Sequence, residues 1–128
     1  MARGLRLWAA GLAFAVPVTA RAGGDVEAGA RIFKLCVSCH SVTDQTRKIG
    51  PTLNGVFGRR AGTVSGYKYS SFMVMAGESG LIWDDAELAA YIADPKRRIP
   101  HNSMAFAGLK KPQDVADVVA YIRQFSPD

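Results

Sequence analysis

Cys36-Val37-Ser38-Cys39-His40 is the stretch that decides how this 128-residue chain is read. A C-x-x-C-H run is the attachment signature of a c-type haem. Two thiols separated by two residues reach the two vinyl groups on one porphyrin edge, and the imidazole that follows is carried beneath the iron as its proximal ligand. A bare C-x-x-C also occurs in thioredoxin-type disulfides and as half of a zinc site. Against the first, no strand-helix-strand pattern surrounds the motif. Against the second, there is no third cysteine, and the only other histidine is His101. On the haem reading Cys36 and Cys39 are consumed as thioethers, which leaves none for a structural disulfide.

The N-terminal end speaks to compartment. Residues 1–22 carry Arg3 and Arg6, the apolar run Leu7 to Val16, and Ala20-Arg21-Ala22, the charged, apolar and A-x-A parts of a secretory signal. Cleavage is expected after Ala22, leaving 23–128 as the domain in the periplasm. The apolar core is shorter than the roughly 20 residues that span a bilayer; an uncleaved N-terminal anchor is the alternative. Export agrees with the motif, because c-type haem is attached outside the bacterial cytoplasm.

The remaining stretch is enough for one small domain, whose core is thin unless an embedded haem adds apolar mass. The whole-chain charge of +5 overstates the mature protein: losing Arg3, Arg6 and Arg21 takes 16 basic residues to 13 against 11 acids, leaving +2. Two propionates would cancel that, so charge gives no argument for nucleic-acid binding, and the distribution of charge has to carry any argument about partners.

Periodicity is helical at both ends of the mature chain and irregular between. Asp25 is a helix N-cap, and Ala28, Ile32 and Leu35 recur at i, i+4, i+7, running a helix straight into the haem turn. Gly29 weakens that helix and points to close approach by another one. Pro112 suits a first helical position, and Val115, Val118, Val119 and Ile122 form an apolar stripe with Tyr121 beside it. These two helices are expected to cross. A third starts at Asp84, with Glu87 as in a capping box, buries Leu88, Tyr91 and Ile92, and ends at Asp94-Pro95. A short helix begins at Ser70 or Ser71 and stops by Gly77 or Gly80. Glycine and proline mark Gly50 to Gly66 as loop, and no strands or repeats are expected.

With one imidazole on the iron, the sixth position separates an electron carrier from a gas sensor or haem enzyme. Candidates are Met73, Met75, Met104 and His101. Met73 and Met75 fall in the short helix, where methionine is ordinarily core filler. His101 reads as an exposed loop histidine. Met104 lies between two helices, in a stretch that can lay its sulfur over the distal face as an extended strap.

Several further motifs carry a resemblance. The chain is similar to the class I c-type cytochromes, close to the mitochondrial and alphaproteobacterial carriers, from Gly24 to about Phe125. Beyond Cys36, Cys39 and His40, the family's G-P-x-L-x-G-x-x-G-R is Gly50 to Arg59, its Tyr-Ser is Tyr69-Ser70, and its buried tryptophan is Trp83. Its Y-[LI]-x-x-P-K is Tyr91 to Lys96, and its I-P-x-x-x-M-x-F-x-G is Ile99 to Gly108.

The resemblance implies an all-α small cytochrome c fold, with N- and C-terminal helices crossing at Gly29, Phe33 and Tyr121 and shorter helices and loops wrapped round one covalent haem c. It implies His40 and Met104 as iron ligands and the Pro51 carbonyl as acceptor of the proximal imidazole N–H. Arg59, Tyr69 and Trp83 would hydrogen-bond a buried propionate. Tyr91 would bond the methionine sulfur, and Asn102 stands where the family often has threonine. Three departures stand out. Met73 replaces a frequent asparagine, so the distal network is expected to be drier or rearranged. About three extra residues fall between Met73 and Trp83. Ser103 replaces the usual lysine before the ligand.

The implied role is an electron-transfer protein and not an enzyme, a high-potential one-electron shuttle. Lys34, Lys96-Arg97-Arg98 and Lys110-Lys111 match positions ringing the exposed haem edge, whereas Asp84, Asp85, Glu87, Asp114 and Asp117 start helices elsewhere. That separation would steer a monomeric protein to acidic docking faces on quinol-cytochrome c reductase, a terminal oxidase, a photosynthetic reaction centre or a periplasmic dehydrogenase. Membrane association is expected only through such partners or an uncleaved N-terminal segment.

Overall fold

The computed structural model describes residues 23–127; the expected export segment, residues 1–22, lies outside the described residues. Five helices follow in order: α1 (Val26–Phe33), α2 (Ser71–Glu78), α3 (Asp85–Ala93), α4 (Pro95–Arg98) and α5 (Pro112–Arg123). No strand occurs among the described residues, only an isolated antiparallel bridge between Arg60 and Ile82. None of the described helices is long and apolar enough to cross a membrane.

The helix ends follow local chemistry. Asp25, Ser70 and Asp84 accept through their side chains from the N–H groups of Ala28, Met73 and Glu87. Asp94 closes α3 and caps α4 by accepting from Arg97, and Pro112 opens α5. The capping box at α3 is half formed. Glu87 does not turn back to Asp84, because its carboxylate is taken by Arg98 at 2.7 Å.

Helices α1 and α5 pack against each other, as expected, and the reason is visible at Gly29. A Cβ there would run into the Asp117 carbonyl of α5 and stand 2.8 Å from Tyr121 Cβ. With hydrogen in place of a methyl, the two backbones meet, and Phe33 and Tyr121 stack beside the crossing at 5.3 Å. The α5 stripe of Val115, Val118, Val119 and Ile122 is buried throughout. The α1 stripe differs from its expected course. Gly29 and Phe33 are the buried residues, Ala28 and Ile32 are half-buried, and Leu35 is 64% exposed. The helix stops at Phe33, and tighter turns take the chain on to His40, so Leu35 leaves the helical face.

Asp117 also departs from expectation. It is not a surface acid: it is 5% exposed, and its Oδ1 accepts from the Asp25 N–H at 2.7 Å and from Gln113 Nε2 at 2.8 Å. A buried carboxylate at the start of α1 serves the unpaired donors and positive end of that helix. Asp117→Ala removes the carboxylate that accepts from the Asp25 N–H and from Gln113 Nε2 and should destabilise by about 1–3 kcal/mol. For a domain of this size that lowers the melting temperature by roughly 4–8 °C per kcal/mol. Thermal unfolding of the oxidised haem-loaded protein checks this, and an unchanged melt would show that the carboxylate is dispensable.

Residues 41–69 form loop, and the stretch from Gly50 to Gly66 expected from glycine and proline lies within it. Ser41 Oγ and the Thr46 N–H both donate to Asp44 Oδ1, at 2.6 and 2.8 Å, and together they hold that carboxyl down to about 2. The Thr52 hydroxyl donates to the Asp44 carbonyl at 2.6 Å. Further on, Gly58 N–H to Trp83 O (2.8 Å), Trp83 N–H to Arg59 O (2.9 Å) and Ala61 N–H to Leu81 O (2.9 Å) bind the loop to the segment before α3 and seat Trp83.

The short helix α2 lies where expected. Its inward residues are Met73, 8% exposed, and Gly77, where a Cβ would collide with the Ala61 carbonyl. Met75 is not core filler: it is 56% exposed. Two residues along a helix turn the side chain through about 200°, so one of the two must face out.

Candidate haem site and family

One cavity of about 350 Å³, within the range of ligand-sized clefts, collects most of the predicted residues. Its lining includes Cys36, Cys39, His40, Pro51, Arg59, Tyr69, Trp83, Tyr91 and Met104, contributed by the turn after α1, the 41–69 loop, the segment before α3, α3 itself and the strap between α4 and α5.

The turn is built so that the two thiols and the imidazole share a wall. Cys36 N–H bonds Phe33 O at 2.8 Å, Cys39 N–H bonds Cys36 O at 3.1 Å, and His40 N–H bonds Cys36 O at 2.9 Å. Both cysteines are half-buried free thiols, and burial together with Cys39 pushes the Cys36 thiol up. His40 Nδ1 lies 2.7 Å from the Pro51 carbonyl. A carbonyl can only accept, so Nδ1 carries the proton and Nε2 keeps its lone pair. Burial, and to a lesser degree Lys48, disfavours the imidazolium, while the Pro51 carbonyl favours it; the net direction is down. Gly50 lets the chain pass behind the ring, since a Cβ there would stand 2.8 Å from His40 Nδ1 and closer still to Cε1.

The polar groups of the cavity are prearranged. Arg59 donates from its two terminal nitrogens to Thr52 O at 2.7 Å and Asn54 O at 2.6 Å, and it lines the cavity with further N–H groups to spare. Burial presses its pKa downward, partly offset by Tyr69. The Tyr69 hydroxyl accepts from the Val64 N–H at 3.1 Å, which leaves its own proton for an acceptor. Burial raises Tyr69 and pushes Tyr91 up to about 12, so both phenols are neutral donors across the physiological range. Trp83 and Tyr91 pack together at 5.2 Å.

Met104 sits on the extended strap after α4. Met104 and Phe106 are half-buried, whereas Ser103, Ala105 and Ala107 are exposed, the alternation of an extended chain, and residues 103–106 all border the cavity. Asn102 is not among the lining residues. Its Nδ2 donates to Ile99 O at 2.9 Å and its Oδ1 accepts from the Met104 N–H at 2.9 Å, so it shapes the strap. His101 is an exposed loop histidine, as expected.

Residues the sequence reading missed include Tyr67, Leu53 and Phe106, all lining the cavity. Tyr67 and Phe106 each stand two residues from a predicted site residue in non-helical chain, a spacing that returns side chains to the same side. Met73 also reaches the cavity and brings a thioether to it.

The donor set, two thiols, an unprotonated imidazole nitrogen and a thioether around an apolar cleft, fits a covalently held haem. A family model described as cytochrome c matches residues 26–126. The chain belongs to the cytochrome c family. It is 43% identical over 107 residues to cytochrome c2 of Afifella marina, covering 83% of this chain and 86% of that protein. It is 50% identical over 99 residues to cytochrome c2 iso-2 of Magnetospirillum molischianum, covering 77% of this chain and 96% of that protein. Among solved structures, cytochrome c2 from Rhodospirillum centenum superposes with a TM-score of 0.76 at 38% identity, covering 81% of this chain and 100% of that one. Members of the family carry one covalent haem c and transfer electrons rather than catalyse a reaction, and Cys36 and Cys39 fit its attachment motif.

Proposed function

We propose that this family member is a periplasmic one-electron shuttle with His40 and Met104 as the axial ligands of its haem. The observation that carries the reading is that His40, with its Nδ1 turned to the Pro51 carbonyl, and Met104 line the same largely apolar cavity as Cys36 and Cys39. When bound, the haem supplies a one-electron iron couple, which methionine ligation and burial place at high potential.

The chain's own groups then have separable tasks. Cys36 and Cys39 tether the porphyrin edge. Pro51 holds the His40 ring in one tautomer, and with both His40 and Met104 holding the iron, oxygen or peroxide would find no open site. Arg59, Tyr69 and Trp83 receive a buried propionate, and Tyr91 donates to the Met104 sulfur. A potentiometric titration with visible and near-infrared spectra tests ligand and role together. The weak sulfur-to-ferric-iron band in the near infrared is expected, and carbon monoxide should bind the reduced protein at neutral pH only slowly, limited by how often the sulfur leaves; prompt carbon monoxide binding would mean an open site and a sensor or enzyme instead.

The surface supports docking by the cleft mouth. Leu35 and Ile49, 64% and 78% exposed, line the opening. Lys34 is exposed next to the haem turn, and Lys48 donates to the Val37 carbonyl in it at 2.7 Å, a cation absent from the sequence-based set. Lys96, Arg97, Lys110 and Lys111 are exposed as expected. Arg98 is not a free cation, since Glu87 neutralises it, and Asp85 is bridged by Arg123. The steering set is therefore Lys34, Lys48, Lys96, Arg97, Lys110 and Lys111. Electron transfer to an acidic partner, such as an isolated terminal oxidase, should slow by roughly tenfold or more from low to high ionic strength. Rates flat across that range would reject steering.

The donor and acceptor belong to the same acidic class: quinol-cytochrome c reductase or a periplasmic dehydrogenase on one side, a terminal oxidase or photosynthetic reaction centre on the other. In this reading residues 1–22 direct export and the mature protein works as a monomer.

A further inference from the structure

Between α4 and Leu109 the chain has little backbone support. Among the described residues, 100–108 make no backbone–backbone hydrogen bond, and the ladder resumes only with Leu109 N–H to Ile92 O at 3.0 Å. The side-chain bonds of the stretch are local, from Asn102 to Ile99, from Met104 to Asn102, and from Lys110 to Ala107. A segment with so few ties opens easily unless side chains fasten it to something rigid.

His101 provides such a fastening. Its ring lies 4.9 Å from the Phe72 ring, tilted by 53°. It is also the one non-glycine among the described residues in the left-handed region, with φ of +55°. A side chain there is strained and persists where its surroundings over-determine it. The Phe72 ring is itself 40% exposed, but the helix that carries it is anchored: the next residue, Met73, is buried against the cavity, and Gly77 seats α2 directly on the Ala61 carbonyl.

We propose that His101 is a positioning residue for Met104: packed on Phe72, its ring pins the strap to α2 and keeps the Met104 sulfur over the cavity. The proposal rests on Met104 being the iron ligand. Its consequence is kinetic, since the strap must lift before any outside ligand reaches the iron.

The test uses the haem-loaded protein and follows carbon monoxide binding to its reduced form at neutral pH, which reads how often the sulfur leaves. His101→Asn removes the ring with a residue that tolerates positive φ, and Phe72→Ala removes the other half of the contact. Each is expected to speed binding by roughly 2- to 12-fold, the range that the strength of an aromatic pair implies. The double variant should be no faster than the faster single, because the contact is already gone. His101→Gly, unstrained but ringless, should behave like His101→Asn.

Unchanged rates in both single variants, additive effects in the double, or a wild-type rate in His101→Gly would each overturn the proposal. Failure of the ligand reading looks different. The wild type would then lack the near-infrared band, or Met104→Ala would bind carbon monoxide no faster than wild type, and the proposal would fall with it.

Discussion

Met104→Ala is expected to abolish the near-infrared sulfur band, open the reduced iron to carbon monoxide at neutral pH, and lower the midpoint potential by on the order of 0.1–0.3 V. That drop is a fraction of the ~0.8 V range over which axial ligation sets haem potentials. The physical cause is the loss of a soft thioether that favours the ferrous state. The structure supplies a demanding control. Met73 is buried and also lines the cavity, so among the described residues it is the one other methionine placed to compete. It is carried by α2, which Gly77 holds down on Ala61, whereas Met104 rides a strap without a backbone ladder. Met73→Ala should therefore keep the band. A band that survives Met104→Ala, or vanishes in Met73→Ala, assigns the ligand elsewhere. Met75 is excluded from the contest by facing out.

Gly29→Ala should be strongly destabilising for a single added methyl. Two effects oppose each other. Inside a helix, alanine is favoured over glycine by about 1 kcal/mol. Against that, the new methyl points at the Asp117 carbonyl and at Tyr121 Cβ, neither of which is the yielding end of a flexible side chain. The helices must part, which costs about 1–3 kcal/mol for ordinary overpacking and more where backbone meets backbone. Separation also loosens Phe33 from Tyr121 and disturbs the bond from the Asp25 N–H to Asp117. We expect a net loss of about 2–4 kcal/mol, read as a lower denaturation midpoint with unchanged slope. A variant as stable as wild type, or more so, would mean that helix propensity outweighs contact at the crossing.

Much of the fold was legible because its signals are short-range. The Asp25, Ser70 and Asp84 caps, the Pro112 start and the α5 stripe each depend on residues within two turns of one another, and the structure forms all of them. Gly29 was legible for a different reason: a glycine inside an otherwise apolar helix needs a cause, and contact is the usual one. The hydrogen bond between His40 and the Pro51 carbonyl was anticipated from resemblance alone, since spacing does not say where an imidazole proton goes.

What escaped the reading shares one property, dependence on a group far away in the chain. Asp117 looked like any helical acid, yet α1 arrives to bury it. Arg98 looked like one of three free cations, yet the fold of α3 onto α4 brings Glu87 to it. Lys48 was passed over as a loop lysine, and the loop curls back to place it on the haem turn. Asn102 seemed a cavity residue and instead ties the strap to itself.

From residues alone, then, came the cofactor chemistry, the positions of four of the five described helices, α4 being the exception, and the identity of the crossing glycine, because covalent reach and helical period are properties of adjacent residues. The three-dimensional packing settled which charges stay in water, which methionine faces the cleft, and that an aromatic contact from α2 reaches the strap. Burial and pairing arise where distant segments meet, and no local pattern encodes which partner will be there.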